Sequence, residues 1–247
     1  MLSTFPFGTF AYARLDQRLK DDPLWVDPPR RDGRDPMDLT PKQPNLEFWN
    51  TELYGGPKQF VDFPINKKHA FAMCILLFNA RSRGTVSLKS ADPMENPIVD
   101  HNYLADPLDL LVLSEGCRYA NEIVMNGKGT KDIIKGSWPP ELTHHSYNTR
   151  EQWVPYVKQQ ATTCNWFFNL KICITNLTFL GYHAAGTCKM GKTDDPSAVL
   201  DEKLRVRGVK GLRVADVSIM PLLNSGHTQM PAYGIGEKAA DLIKVDA

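Results

Sequence analysis

The sequence predicts an α+β fold in which an antiparallel sheet is backed by helices. The first observation is that residues 71–78 are apolar throughout, which is typical of a strand buried on both faces. The second is that residues 85–88 alternate polar and apolar side chains after a turn-forming stretch, so the two runs predict an antiparallel hairpin. The third is a pair of later segments that carry helix-start signals. A helix over residues 70–78 would contradict this fold.

The first 66 residues predict irregular structure. Prolines are dense between Asp21 and Pro44, where the sequence places Pro23, Pro28, Pro29, Pro36, Pro41 and Pro44. Because proline fixes one backbone angle and has no N–H group, such a stretch excludes a long helix or a central strand. Residues 1–66 are therefore expected to be a surface wrap on a folded body, or a linker.

Two helices are expected after the predicted hairpin. Asp106 and Pro107 suit the N-cap and first positions of a helix that Gly127 ends. Thr149 and Gln152 have capping-box spacing before a second helix that runs towards residue 160. The apolar residues of the first helix form one stripe, made of Leu108, Leu111, Val112, Tyr119 and Ile123.

The C-terminal part predicts a short strand over residues 212–215 and a closing helix over residues 229–244. The residues of that helix expected to face inward are Ala232, Ile235, Ala239, Leu242 and Ile243. This strand and helix are expected to pack away from the main sheet.

The composition excludes several classes of function. The 247 residues carry 29 Lys+Arg and 28 Asp+Glu, and a formal charge of +1 gives no electrostatic argument for nucleic acid or a membrane surface. No apolar run reaches the ~20 residues of a spanning helix, and residues 1–14 lack the pattern of a secretory signal. The five cysteines include no CxxC pair, which predicts no zinc site and favours a reduced, cytoplasmic protein.

Two histidines are the candidate catalytic residues. His183 and His227 each lie beside Gly and Thr residues in predicted loops, and an imidazole with a pKa of about 6.5 can exchange a proton near neutrality. From spacing alone, surface or structural roles remain the alternative. The other histidines, among them His101, His144 and His145, have no companion ligands at metal spacing, so no metal site is predicted.

The segments around these histidines are long and specific. Residues 183–191 read His-Ala-Ala-Gly-Thr-Cys-Lys-Met-Gly, and residues 211–221 read Gly-Leu-Arg-Val-Ala-Asp-Val-Ser-Ile-Met-Pro. With residues 201–210 and 234–243, they resemble the C-terminal signature of the glucose–methanol–choline (GMC) flavoprotein oxidoreductases almost without a break. The resemblance spans at least residues 69–247 and is nearest to the fungal aryl-alcohol-oxidase-like members.

The resemblance implies a domain organisation and a reaction. Residues 67–195 would form the substrate-binding domain, and residues 196–247 would complete the FAD domain. The reaction would be oxidation of a small-molecule alcohol by hydride transfer to the N5 atom of FAD. His183 would accept the hydroxyl proton, and His227 would hold the same oxygen by a hydrogen bond, a position where many relatives have Asn. The two side chains should then face one cavity.

The resemblance also implies residues that contact the cofactor. Thr228, Gln229 and Met230 would place the start of the closing helix, with its unpaired N–H groups, against the part of the flavin that becomes negative. Asp216 would lie near the ribityl–pyrophosphate part of FAD, although an Asp at that place can equally cap a turn.

The sequence departs from the family at its front. No strand, Gly-x-Gly-x-x-Gly turn and helix, the unit that binds the ADP half of FAD, can be found. The N-terminal FAD-binding half would then be a missing partner, and the chain on its own is expected not to hold FAD tightly. Two hypotheses stay open: part of an alcohol-oxidising flavoenzyme, or a non-redox protein of the same fold, such as a cyclase, an isomerase, a binding module or an inactive truncated product.

Residues 165–181 are expected to be a translated, unspliced intron; the alternative is a genuine added strand, which would end one residue before Tyr182. In relatives the chain passes almost directly from the preceding helix to Tyr-His, whereas here an apolar block intervenes. Its possible codons permit a splice donor across Cys164 and Asn165 and an acceptor across Leu180 and Gly181. Sequencing the mature transcript tests this prediction: we expect these codons to be absent, and their retention would contradict it.

Overall fold

The computed structural model describes residues 7–51, 72–137, 143–161 and 184–246. The chain divides into two units, one drawn from residues 1–83 and 103–180 and the other from residues 84–102 and 181–247. Among the helices in the described ranges, none combines the length and apolarity needed to cross a bilayer. The predicted insertion at residues 165–181 and the candidate base His183 lie outside the described residues.

The first unit contains a three-stranded antiparallel sheet. Its strands are β1 (Phe7–Ala13), β2 (Leu46–Thr51) and β3 (Ala72–Leu77), in that order across the sheet. The prediction of a strand at residues 70–78 is confirmed by β3, as far as these residues are described. One face of the sheet packs into the main core through residues such as Leu46, Phe48 and Ile75.

The predicted irregular segment 1–66 contains two strands of this sheet, so the prediction was wrong for β1 and β2. The prolines that motivated it all lie between the two strands, so none interrupts a ladder. The stretch between them holds two short helices, α1 (Asp16–Leu19) and α2 (Pro23–Val26). It also buries Trp25, Met37 and Leu39 in the main core, so residues 14–45 are an integral part of the first unit.

The hairpin predicted between residues 71–78 and 85–88 was also wrong. Residues 85–87 form β4 (Thr85–Ser87), which pairs with β5 (Ile98–Asp100) in a separate two-stranded ribbon. The reason is that backbone N–H groups of the intervening segment donate to a side chain instead of forming a hairpin turn. The buried Asp109 carboxylate accepts from the backbone N–H groups of Arg81 at 2.7 Å and Ser82 at 2.8 Å. The chain is thereby fixed to a helix where a hairpin turn was expected.

Both predicted helices of the first unit are confirmed, as α3 (Pro107–Asn126) and α4 (Arg150–Gln160). Asp106 caps α3 by accepting from the N–H of Leu108 at 2.9 Å. Gln152 accepts from the N–H of Thr149 at 3.0 Å, as the capping-box spacing predicts. The two helices pack together on the core face of the sheet.

Gly116 brings α3 close to the sheet. A Cβ atom at this position would lie 2.5 Å from Leu46 Cδ1 and 3.2 Å from Ile75 Cγ2, and both neighbours are buried. We expect Gly116→Ala to lower the free energy of unfolding by about 1–2 kcal/mol, because overpacking outweighs the better helix propensity of alanine. Urea unfolding measures the effect. Gly234→Ala is the matched control, since a Cβ there meets nothing within 4 Å, and a stabilised Gly116→Ala would contradict the prediction.

A charged cluster on α3 anchors α1. Glu115, whose side chain is 3 % exposed, contacts Arg18 at 2.5 Å and Arg118 at 2.7 Å. Arg18 also pairs with Glu122 at 2.7 Å, and its guanidinium lies 4.2 Å from the centre of the Tyr119 ring. The cluster therefore joins residues that are far apart in sequence.

His144 is expected to make the stability of the first unit sensitive to acid. Its ring packs against Trp153 and Tyr156 at centroid distances of 6.0 and 5.3 Å, and burial, together with the charge of His145, lowers its pKa to about 4. The unfolded state, with a pKa near 6.5, binds the proton more tightly, so stability is full above about pH 6.5 and falls as the pH drops towards 4.

We expect His144→Phe to remove that pH dependence. Urea unfolding at pH 7 and pH 5 should show a loss of stability that is smaller in the variant, by about 1–2 kcal/mol. Because the other histidines are present in both proteins, the difference between the two losses measures the contribution of His144. Equal losses in the two proteins would contradict the neutral state of this half-buried ring.

The second unit contains the β4–β5 ribbon, a 3₁₀ turn (Val217–Ile219) and the long helix α5 (Gln229–Asp246). The closing helix is thus confirmed, but it buries a narrower stripe than predicted. Ile235, Ala239 and Leu242 face the small core, whereas Ala232 and Ile243 are exposed. The contacts of α5 are one turn apart, as expected for a single helix face.

Candidate active site

The two sequence segments that carry the histidines are hydrogen-bonded to each other in the second unit. Three alternate amides of residues 186–190 donate to three consecutive carbonyls of residues 217–219, with N···O distances of 3.3, 2.9 and 2.8 Å. The first segment begins three residues after His183, and the second ends eight residues before His227. The backbone therefore connects the regions that follow one histidine and precede the other.

Gly186 makes this pairing possible. Its φ angle is +86°, in the left-handed region, and a Cβ atom there would lie 3.1 Å from the carbonyl oxygen of Met220. Only glycine adopts this conformation at low cost and allows such a close approach. The requirement for glycine in the His-Ala-Ala-Gly motif thus follows from its φ angle and from the nearby carbonyl.

A small hydrophobic core supports the paired segments. Ile219 from the 3₁₀ turn and Ala239 from α5 are buried together with Leu200 and Leu204, and Cys188 and Met190 pack against them. Cys188 is accordingly part of the packing. The spacing of apolar residues in the motif therefore fixes α5 against the turn.

The predicted strand at residues 212–215 is absent, since only a single bridge joins Arg205 to Arg213. Leu204 and Gly211 have φ angles of +63° and +74°, and these tight turns end the pairing after one step. Asp201 closes the first turn by accepting from the N–H of Arg205 at 3.0 Å. Turns and single bridges hold residues 201–215, so the periodicity of the sequence does not predict the structure of this segment.

Asp216 caps the 3₁₀ turn. Its carboxylate accepts from the N–H of Ser218 at 2.7 Å, and hydrogen bonds from the hydroxyl and the N–H of Ser218 hold its pKa below the ordinary value. The side chain is exposed. Asp216 is therefore an ionised carboxylate that combines the capping role with free access from solvent.

The start of α5 has backbone donors that lack a partner within the helix. Thr228 is buried, and its carbonyl accepts the first helical bond, from the N–H of Ala232 at 3.0 Å. The N–H groups of Gln229 and Met230 precede that bond and have no partner within the helix, while Pro231 has no N–H group. Both donors lie at the positive end of the helix dipole, next to exposed side chains.

His227 immediately precedes this helix start, and its side chain is exposed. The Asn224 side-chain amide donates to the carbonyl oxygen of His227 at 3.2 Å and so fixes its backbone. Sequence reasoning missed Asn224, although its place in a Gly- and Ser-containing loop is a signal for such a local bond. The structure thus brings His227, Thr228, Gln229 and Met230 together by chain order.

The chemistry of these residues suits two kinds of ligand group. The α5 donors suit an anionic or electron-rich acceptor, and the Asp216 carboxylate suits hydroxyl donors. Within the described residues, no group of three or more His, Cys, Asp or Glu side chains is arranged to hold a metal ion.

A family model described as GMC oxidoreductase matches residues 80–236. The chain belongs to the GMC oxidoreductase family. The sequence-based assignment is confirmed, and the match includes the paired segments, Asp216, His227 and the start of α5. The residue roles implied by the family motif stay predictions at this point.

The names of the relatives describe different activities. The glucose dehydrogenase (FAD, quinone) of Drosophila pseudoobscura pseudoobscura is 34 % identical over 186 residues, which are 72 % of this chain and 26 % of the relative. The versicolorin B synthase stcN of Emericella nidulans is 37 % identical over 177 residues, 71 % of this chain and 25 % of the relative. The chain thus spans about a quarter of the length of these relatives.

Solved structures confirm the predicted α+β fold. A formate oxidase variant of Aspergillus oryzae RIB40, studied for FAD modification, aligns with a TM-score of 0.74 and 28 % identity, over 96 % of this chain and 38 % of that one. A fungal aryl-alcohol oxidase aligns with a TM-score of 0.53 at 24 % identity, over 81 % of this chain and 27 % of that one, which supports the fold alone.

Proposed function

We propose that this chain is the catalytic C-terminal part of an FAD-dependent oxidoreductase that acts on the CH–OH group of a small-molecule alcohol. The observation that carries the proposal is the hydrogen-bonded pairing of residues 186–190 with residues 217–219. This pairing joins the two motif segments whose flanking residues are His183 and His227. Family membership and the dehydrogenase names of relatives support the same reaction class.

The chain's own residues would bind FAD at two places. The N–H groups of Gln229 and Met230, at the positive end of α5, would bind an electron-rich part of the cofactor. The ionised Asp216 would accept hydrogen bonds from hydroxyl groups, such as those of a ribityl chain, whereas it would repel a phosphate. When bound, FAD supplies the hydride acceptor for the reaction.

The histidines supply the acid–base part. His183 would accept the proton of the substrate hydroxyl at a neutral ring nitrogen, as the carbon gives up its hydride. His227 would donate a hydrogen bond to the same oxygen and hold the alcohol in place. An alkoxide is a far better hydride donor than an alcohol, so removal of this proton is the step that requires a catalyst.

A non-redox reaction on the same fold is the second candidate. The 37 % identity to a protein named versicolorin B synthase favours it, because a synthase name does not imply alcohol oxidation. In that case the histidines would move protons without net transfer of electrons from the substrate.

Anaerobic mixing of alcohols with the chain together with its FAD-binding region tests the two candidates. An oxidoreductase should bleach the flavin absorbance at ~450 nm, and deuterium on the carbinol carbon should slow the bleaching several-fold, because that C–H bond breaks. A flavin that stays oxidised with every alcohol, while product still forms from another substrate, would contradict the redox proposal.

A further inference from the structure

The loop between the 3₁₀ turn and α5 contains a side chain that folds back onto the backbone. Leu222 and Leu223 of this loop are exposed, so burial of these two side chains contributes little to holding it. Asn224 is half-buried and lies against Gly226, where a Cβ atom would be 3.4 Å from the Asn224 Nδ2 atom. The amide thereby reaches the carbonyl oxygen of His227, to which Nδ2 donates at 3.2 Å.

This hydrogen bond restrains the direction of the His227 side chain. The accepting oxygen belongs to the peptide unit between His227 and Thr228, and a peptide unit is planar. Thr228 is buried, and its own carbonyl oxygen accepts the first helical hydrogen bond of α5. The peptide unit is therefore held at Thr228 by the helix and at its oxygen by Asn224, which limits the rotations that orient the His227 Cβ atom.

The same amide has an acceptor without a partner. The Asn224 Oδ1 atom is enclosed by the protein, and no residue of the described chain donates a hydrogen bond to it. An enclosed, unpaired acceptor lowers stability by at least as much as one ordinary hydrogen bond raises it. The single bond to His227 therefore does not make Asn224 a favourable residue for the stability of this unit. An apolar side chain of similar size would avoid the unpaired acceptor.

We propose that Asn224 is a positioning residue for alcohol oxidation, an inference that rests on the proposed function. Asn224 holds the His227 peptide unit so that the imidazole meets the substrate oxygen, and it acts on the reaction only through His227. A displacement of about 1 Å in a group that orients the substrate is enough to lower a rate about 10²-fold. Orientation of His227, and not stability of the fold, is then the contribution of this side chain.

Asn224→Leu, which keeps the size of the side chain but removes the amide, tests this role in the chain combined with its FAD-binding region. Stopped-flow flavin reduction at saturating alcohol should slow about 10- to 100-fold, with the amount of bound FAD unchanged. The midpoint of urea unfolding should not fall, because the unpaired acceptor is lost together with the hydrogen bond. An unchanged rate contradicts the proposal, and a slower rate with a lower midpoint shows a structural role instead.

A double-mutant cycle shows whether the effect passes through His227. In the His227→Ala protein, Asn224→Leu should change the rate of flavin reduction less than about twofold, because no imidazole remains to be oriented. The same loss in both backgrounds overturns the positioning role while the proposed function stands. If no alcohol reduces the flavin of the unaltered protein, the proposed function itself fails, and this inference fails with it.

Discussion

Replacing His183 by alanine is expected to lower turnover about 10²- to 10⁴-fold, in the chain combined with its FAD-binding region. The reason is that no other group would take the hydroxyl proton as the hydride leaves. Stopped-flow measurement of flavin reduction gives the rate, and the visible spectrum gives the amount of bound FAD, which should not change. Turnover equal to that of the unaltered protein would contradict the role of His183 as base.

Two further histidine variants are compared with His183→Ala. His227→Asn should retain much more activity than His183→Ala, because an amide can still donate a hydrogen bond to the substrate oxygen. His101→Ala, at an exposed position in the second unit, should leave turnover unchanged. If His101→Ala lost as much activity as His183→Ala, the loss would reflect damage to the fold.

Glu115→Gln is expected to lower the free energy of unfolding by about 3–5 kcal/mol, a large part of the stability of an ordinary domain. The substitution leaves the guanidinium groups of Arg18 and Arg118 without the buried charge that both of them contact. It also loosens α1 from α3, since the pair with Arg18 connects these helices. Urea unfolding followed by circular dichroism measures the change.

Glu122→Gln is the matched control for this experiment. Glu122 pairs with the same Arg18 at 2.7 Å, but its side chain is 48 % exposed. Solvent screens such a pair, so its loss should cost less than about 1 kcal/mol. Equal losses in the two variants would show that the buried position of Glu115 does not determine its contribution.

Local signals in the sequence predicted the elements that depend on local chemistry. The Asp106 cap with Pro107, the Thr149 capping box and the apolar run that became β3 all specify structure within a few residues. The pairing of strands could not be predicted in the same way. It depends on the contact of Asp109 with the amides of Arg81 and Ser82, a contact between segments that sequence periodicity does not connect.

The candidate site was also predictable only in part. The family motif predicts His227, Asp216 and the start of α5 as site residues; the family is confirmed, whereas the roles of these residues stay predictions. Asn224, which fixes the His227 backbone, and the left-handed Gly186 act through backbone contacts. Such contacts have no sequence period, so the motif contained both residues without indicating what they do.

The second unit is discontinuous, and this has a consequence for biosynthesis. Its β4–β5 ribbon is translated long before residues 181–247, which complete the unit. At about 5–20 residues per second, the ribbon waits on the order of ten seconds on the ribosome for these residues. The first unit can close its core during that interval, whereas the second unit stays incomplete until its C-terminal residues have been made. The nascent chain is therefore most exposed to misassociation in this interval, when a chaperone would protect it best.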